Sequence, residues 1–203
     1  MKYVSLQEQL HTTSVTKLLI KLSLPATAAQ MVSALYSVVD RIYISRIPNI
    51  GADALAGLGV CFPLIMFNTA ICILIASGSS ALSTIKMGEG NNKDASKLLN
   101  GSFTLLIATG IVLMAVMYLF LSPMLMFFGG SNNTLPYAVE YMEIYLLGTV
   151  VGQISLGMNY FINSQGYARV GMISVLCGAI ANIVLDPILI FGFNMGIKGA
   201  AIA

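Results

Sequence analysis

Residues 182–203 read NIVLDPILIFGFNMGIKGAAIA. Asn182 and Asp186 stand four residues apart in a long apolar run, Pro187 follows the carboxylate directly, and the stretch closes in a Gly-rich turn. Residues four apart share one face of a helix, so an amide and a carboxylate sit one above the other in apolar surroundings. A carboxylate at the centre of a membrane helix costs roughly 2.5 to 3.5 kcal/mol even on the gentler insertion scale. A salt bridge or a bound cation has to offset that cost, and this need directs the reading of the rest of the chain.

The surroundings are those of a bilayer protein. The 203 residues are 57% hydrophobic and 9% charged, with a mean hydropathy of +0.86, against about 25% charged residues in soluble domains. The net charge of +2 comes from ten Lys and Arg dispersed along the chain, which gives no surface for nucleic acid. Cys61, Cys72 and Cys177 are isolated in apolar runs without CxxC spacing or a nearby His, so they read as small core residues rather than metal ligands. His11, the single histidine, precedes the first apolar run and reads as a solvated or headgroup-level residue. Polar residues from Ser5 to Ser14 interrupt the N-terminal segment, which does not resemble a cleavable signal peptide.

About 20 mostly apolar residues cross a bilayer as a helix. Runs of that kind lie at 18–45, 54–84, 101–121, 137–162 and 170–192, with a sixth helix starting near Ile197, and the connections between them concentrate Gly, Asn, Pro and Ser. The expected fold is all-α, a polytopic membrane helix bundle of five transmembrane helices plus the start of a sixth, with no soluble domain. If the N-terminus is cytoplasmic, Lys2, Lys17, Lys21, Lys86, Lys93, Lys97 and Arg169 face inward and Arg41, Arg46 and Lys198 outward. Seven basic residues against three favour that orientation. Asp40 and Asp186 then each lie on the order of 25 to 30 Å along their helices from the cytoplasmic start, at similar depth in the outer half of the membrane.

Three spans carry small and polar faces. Gln30, Ser33, Tyr36, Ser37 and Asp40 fall within an arc of about 120° on the first helix. Tyr141, Tyr145, Gly148, Gly152, Ser155, Asn159 and Asn163 follow one edge of the fourth, and Gly171, Ser174, Gly178, Asn182 and Asp186 one edge of the fifth. For the glycines a packing seam suffices, since Gly148 and Gly152 form a GxxxG; for Asp40 and Asp186 it does not. Arg41 lies about 100° round the helix from Asp40 and reads as snorkelling to the surface. Pro187, Pro63 and Pro25 leave the carbonyls of Ile183, Gly59 and Lys21 without donors and introduce bends. Oxygen ligands on a kinked membrane helix suit Na⁺, and a carboxylate removed from water holds H⁺ more readily; both ions stay open. Asn68 and Thr69 in the second span read as interhelical bonding groups or as lining of the same cavity.

These residues resemble the multidrug and toxic compound extrusion (MATE) family, N-terminal half. LSLPATAAQMVSALYSVVDRIYIS at 22–45 is similar to the family's first span, GADALAGLGVCFPLIMFNTAICILIASGSSALSTIKMGEGN at 51–91 to its second span and following loop, and the 182–203 stretch to the signature joining spans five and six. The resemblance covers nearly the whole chain. It implies two six-helix lobes and export of organic cations or other drugs coupled to Na⁺ or H⁺ entry, without enzymatic chemistry or a cofactor. It also implies an N-lobe cation site, a possible Na⁺ site, at Asp40, Asn182 and Asp186, with Tyr36 as supporting hydrogen-bond partner; Gln30, Asn159 and Asn163 are weaker candidates for the cavity wall. A Thr that the family tends to place early in span six has no counterpart before Ala203.

Members of the family are about twice as long, so residues 1–203 are expected to be a truncated N-terminal lobe, with the C-terminal lobe of the same protein as the missing partner. The expected setting is the cell inner membrane, with the bilayer and a drug-like or organic-cation substrate as the other partners. Two alternatives are a related flippase for lipid-linked precursors and a non-transporting membrane assembly fragment. The flippase would be expected to carry Arg and Lys in its cavity stripes, which hold none.

Overall fold

The computed structural model describes residues 14–203, and every regular element in it is helical. Lys2, counted in the orientation reading, and His11, read as solvated or headgroup-level, lie outside the described residues. The elements are α1 (Val15–Ser45), α2 (Gly51–Gly88), α3 (Asn92–Leu119), α4 (Leu121–Phe127), α5 (Leu135–Leu147), α6 (Thr149–Ser164), α7 (Ala168–Pro187), a π-helical turn at Ile188–Gly192, and α8 (Ile197–Ile202). Among the described residues three helices are long and apolar enough to cross a membrane: α2, α3, and α7 continued through the π turn to Gly192.

The bundle is built around α2. Its buried positions are Gly51, Ala54, Gly57, Cys61, Leu64, Asn68, Cys72, Ala76, Ser80 and Ser83, a stripe of mostly small side chains recurring every three or four residues. Small residues let helix backbones approach, which is how helices associate where lipid is as apolar as Leu. The stripe packs against α3, α5 and α6. At Gly57 an added Cβ would lie 2.9 Å from the Thr134 carbonyl oxygen and 3.1 Å from the Ala138 nitrogen, so only glycine fits between α2 and α5. The outward surface is inverted relative to a soluble protein: Leu74, Leu119 and Phe127 are 75, 78 and 84% exposed, as side chains facing hydrocarbon are.

Two apolar clusters fill the interior. Cys61, Leu64, Met117, Leu121, Leu125, Ala138, Met142 and Leu146 form one; Ile44, Ile47, Ala54, Ile190, Ile197 and Ala200 form the other at the Ser45 end of α1. Tyr141 packs against both. Cys61 and Cys72 are buried as expected, whereas Cys177 is exposed on α7 and is not a core residue.

The span expected as one helix over 137–162 is two. The Gly148 N–H bonds the Tyr145 carbonyl at 3.1 Å, a three-residue step that tightens the turn and ends α5 there. α6 therefore starts on a different register. Its buried line is Thr149, Gln153, Gly157 and Phe161, while Gly152 and Ser155 are exposed. The edge read through Gly148, Gly152 and Ser155 is corrected accordingly.

Proline acts differently at its three sites. α1 and α2 continue through Pro25 and Pro63. After Pro187 the helix widens instead: Phe193 N–H bonds the Ile188 carbonyl at 2.8 Å, five residues back. The missing proline N–H breaks the regular ladder just before this turn, and π turns of this kind occur often at functional sites. The chain then reverses through Asn194 and Gly196, both at positive φ. α8 packs back so closely that a Cβ on Gly199 would stand 2.8 Å from the Ile190 nitrogen.

Candidate cation site and the adjoining polar cavity

The first and fifth spans bring their acids together because α1 packs most extensively on α7. Asp40 lies one turn before the buried Ile44, and Asp186 one turn before the buried Ile190; these isoleucines belong to the same apolar cluster. That cluster closes the Ser45 end of the site. Asp186 is fully buried, at 0% exposure. The Asp40 carboxylate interacts electrostatically with that of Asp186 and with the adjacent Arg41 guanidinium. Arg41 itself is exposed, 6.0 Å from the Phe62 ring centroid, consistent with the surface orientation expected for it.

The oxygens here lack donors. Asp40 Oδ1, Asn182 Oδ1 and both carboxylate oxygens of Asp186 are buried and accept no hydrogen bond. A buried polar atom without a partner is uncommon and costs free energy, and no Lys or Arg ion pair reaches either acid among the described residues. Hard oxygen donors of this kind match Na⁺ or a proton. No group of three or more His, Cys, Asp or Glu converges anywhere among the described residues, so the softer donor sets of transition-metal sites are not assembled there.

Tyrosines line the approach. Tyr141 on α5 interacts electrostatically with Asp40, Tyr145 and Tyr36, and the Tyr141 and Tyr145 rings stack with centroids 6.2 Å apart. Tyr36, expected to bond Asp40, lies within this group, but the buried Asp40 oxygen takes no bond from it. Tyr145 in turn interacts with Asn68 on α2. Gln153 Nε2 donates to Asn68 Oδ1 at 2.7 Å, and Thr109 Oγ1 donates to Gln153 Oε1 at 3.3 Å. Polar side chains thus succeed one another from the carboxylates to the middle of α2, α3 and α6, hydrogen-bonded to each other at Asn68, Gln153 and Thr109.

This succession borders a cavity of about 230 Å³ at the α5–α6 break, lined by Asn68, Thr69, Tyr145, Gly148, Thr149 and Gln153 among others. Asn68 both joins helices and lines the cavity. Thr149 Oγ1 is buried there without a partner. The remaining sequence candidates lie elsewhere. Asn163 Nδ2 donates to Asn159 Oδ1 at 2.7 Å and Asn159 Nδ2 to the Gly171 carbonyl at 3.2 Å, so this pair ties α6 to α7, and Gln30 is exposed on α1. Gln153 and Thr149 escaped the sequence reading because a single unbroken fourth helix turns both off its polar edge. Tyr141 and Tyr145 were on that edge but carried no signal separating them from packing residues.

An all-helical bundle with an apolar exterior and unpaired oxygens at an interior helix interface defines an integral membrane protein of the polytopic helical class. The chain belongs to the MatE family: the family model of that name matches residues 25–188. It is 29% identical over 191 residues to a protein described as a FAD transporter from Shewanella oneidensis, covering 92% of this chain and 42% of that protein. It is 25% identical to the multidrug export protein MepA of Staphylococcus aureus, covering 93% and 41%. A solved structure described as the outward-facing conformation of a multidrug resistance MATE family transporter of the MOP superfamily superposes with a TM-score of 0.87 at 26% identity, over 95% of this chain and 42% of that one. The chain thus spans less than half the length of the relatives it matches, corresponding to an N-terminal half.

Proposed function

We propose that residues 1–203 form most of the N-terminal lobe of a cation-coupled efflux antiporter in the cell inner membrane, with the N-terminus cytoplasmic and organic cations or other drug-like molecules as substrates. The observation that carries this reading is the set of four buried oxygens without donors on Asp40, Asn182 and Asp186. Na⁺ or H⁺ supplies the positive charge these oxygens lack, and a cation held between them joins α1 to α7. Two ionised carboxylates within electrostatic range repel when the site is empty, so occupancy changes how tightly the two helices associate.

Such a change drives transport only if the cation binds one lobe arrangement better than the other. The π turn after Pro187 and the break at Gly148 are the places where the flanking helices depart from regular geometry. An organic cation reaching the same carboxylates competes with the coupling ion, which gives exchange rather than co-transport. A second lobe is required, because alternating access moves one bundle against another. The test is export of a cationic dye by the full-length gene carrying Asp40→Asn or Asp186→Asn. Loss of export supports the coupling role; unchanged export contradicts it.

A second reading follows from the Shewanella oneidensis relative, which at 29% identity exceeds the 25% of the Staphylococcus aureus protein. That protein, described as a FAD transporter, carries an anionic dinucleotide. The small and polar faces of spans one, four and five contain no Lys or Arg, so its phosphates would need partners from the rest of the molecule. Uptake of FAD and of a cationic dye into the same inverted vesicles separates the two substrates.

A further inference from the structure

At the opposite end of the bundle from the acid site, α2 and α3 leave a cleft of about 440 Å³ at the Gly88–Asn92 turn. Lys86, Asp94 and Lys97 stand at its mouth, and Gly101, Ser102 and Leu105 line its deeper part. Among the apolar side chains that line the cleft, Leu105 faces outward at 48% exposure. Its inner wall holds an unmet polar atom, since Ser102 is 3% exposed and its Oγ has no hydrogen-bond partner. The floor is open at Gly101, where an added Cβ would touch nothing within 4 Å.

Two cations and one anion line the cleft, and a second anion, Glu89, stands beside it paired with Lys86. Lys97 Nζ lies 2.9 Å from Asp94 Oδ1 and Lys86 Nζ 2.8 Å from Glu89 Oε2. Both pairs are solvent-exposed, so they exchange partners at little cost. The hydrogen bond from Lys97, with another from Asn91, holds the Asp94 carboxyl below the ordinary carboxylate range, so it is ionised near neutral pH and repels a purely anionic headgroup. A ligand that fits presents a phosphate to the lysines, an ammonium to Asp94, an acceptor to Ser102 and an apolar chain to Leu105.

We propose that this cleft binds a phospholipid with an ethanolamine headgroup: its phosphate lies between Lys86 and Lys97, its ammonium on Asp94, and a glycerol ester carbonyl accepts from Ser102 Oγ. Ser102 is five residues beyond Lys97, about 7.5 Å along the helix axis, the depth at which the esters follow a phosphate held at Lys97. The acyl chains continue past Leu105 into the bilayer. Basic pockets between helices at a membrane surface collect lipid headgroups. The added carboxylate selects a primary ammonium, which donates hydrogen bonds, over the quaternary ammonium of choline, which has none to donate.

The test is native mass spectrometry of the purified protein with added phosphatidylethanolamine, phosphatidylcholine or phosphatidylglycerol. The expected result is retention of phosphatidylethanolamine at least fivefold above either of the others. Gly101→Leu fills the cleft without removing a charge and abolishes the preference. Asp94→Asn lets phosphatidylglycerol compete equally. Equal retention of all three lipids by the wild type overturns the proposal, as does a preference that survives Gly101→Leu. Equal retention of phosphatidylethanolamine and phosphatidylglycerol by the wild type overturns the ammonium assignment and leaves a plain phosphate site. Should Gly101→Leu not fold, Ser102→Ala is the second variant, and a preference it leaves unreduced counts against the ester contact.

Discussion

Asp40 on α1 and Asp186 on α7 interact electrostatically across the most extensive helix interface of the bundle, while Asp40 Oδ1 and both oxygens of Asp186 are buried without a donor. A structure selected for stability alone would not keep this arrangement, because a buried unmatched carboxylate destabilises the fold that holds it.

The first prediction follows from that cost. In low-sodium buffer near neutral pH, Asp186→Ala is expected to stabilise the protein by roughly 1 kcal/mol, the lower end of the penalty for an unsatisfied buried polar group. Thermal melting of the purified protein reads this directly. The same variant is expected to lose export, the usual opposition of stability and function at a site.

Gly57 and Gly59, two residues apart on α2, are expected to respond oppositely to alanine. At Gly57 the new methyl meets backbone atoms of Thr134 and Ala138 at 2.9 and 3.1 Å, and overpacking of that kind costs about 1 to 3 kcal/mol. At Gly59 it meets nothing within 4 Å, and alanine gains up to about 1 kcal/mol of helix propensity. Melting temperatures of the two variants should therefore fall on opposite sides of the wild type.

How much of this was legible in the sequence differs by feature. The helical membrane class and the departure from regular helix at Pro187 follow from composition and the chemistry of proline; four-residue spacing puts Asn182 on the face of Asp186, while adding Asp40 to them was implied by the family resemblance. The break at Gly148 does not, because glycine within an apolar run is equally compatible with a close helix crossing. Missing it displaced the buried edge of α6 by one position and hid Gln153 and Thr149. The expected bond from Tyr36 to Asp40 rested on helical spacing, which places two side chains on one face without fixing where a hydroxyl turns. Tyr141 interacts electrostatically with Asp40 from a helix about a hundred residues later, a relationship that no local pattern encodes.

The Asn68–Gln153 bond, 2.7 Å between buried amides, should appear as coupling in a double-mutant cycle. Asn68→Leu and Gln153→Leu each leave the other amide unpaired, and the double variant should recover about 0.6 to 2 kcal/mol relative to the sum of the singles. Strict additivity in melting experiments would show that the bond adds nothing.

The turn before α3 gives a pH signature. Asp94 is held below the ordinary carboxylate range by Lys97 and Asn91, so its contribution to stability is present above the ordinary value of 3.8 and is lost as pH falls through the lower folded-state value. Asp94→Asn should melt below the wild type at pH 6 and approach it as the pH is lowered past 3.8. The difference at pH 6 should shrink in high salt, because both partners are exposed.

The most direct test of the central claim is dye efflux from proteoliposomes containing the full-length transporter, started by an imposed Na⁺ or H⁺ gradient. Gradient-driven efflux is expected for the wild type and for Glu89→Gln, an exposed acid after the far end of α2, at the opposite end of the bundle from the site. At least a tenfold loss is expected for Asp40→Asn and for Asp186→Asn. Efflux that follows either gradient at the wild-type rate in both site variants would contradict the claim.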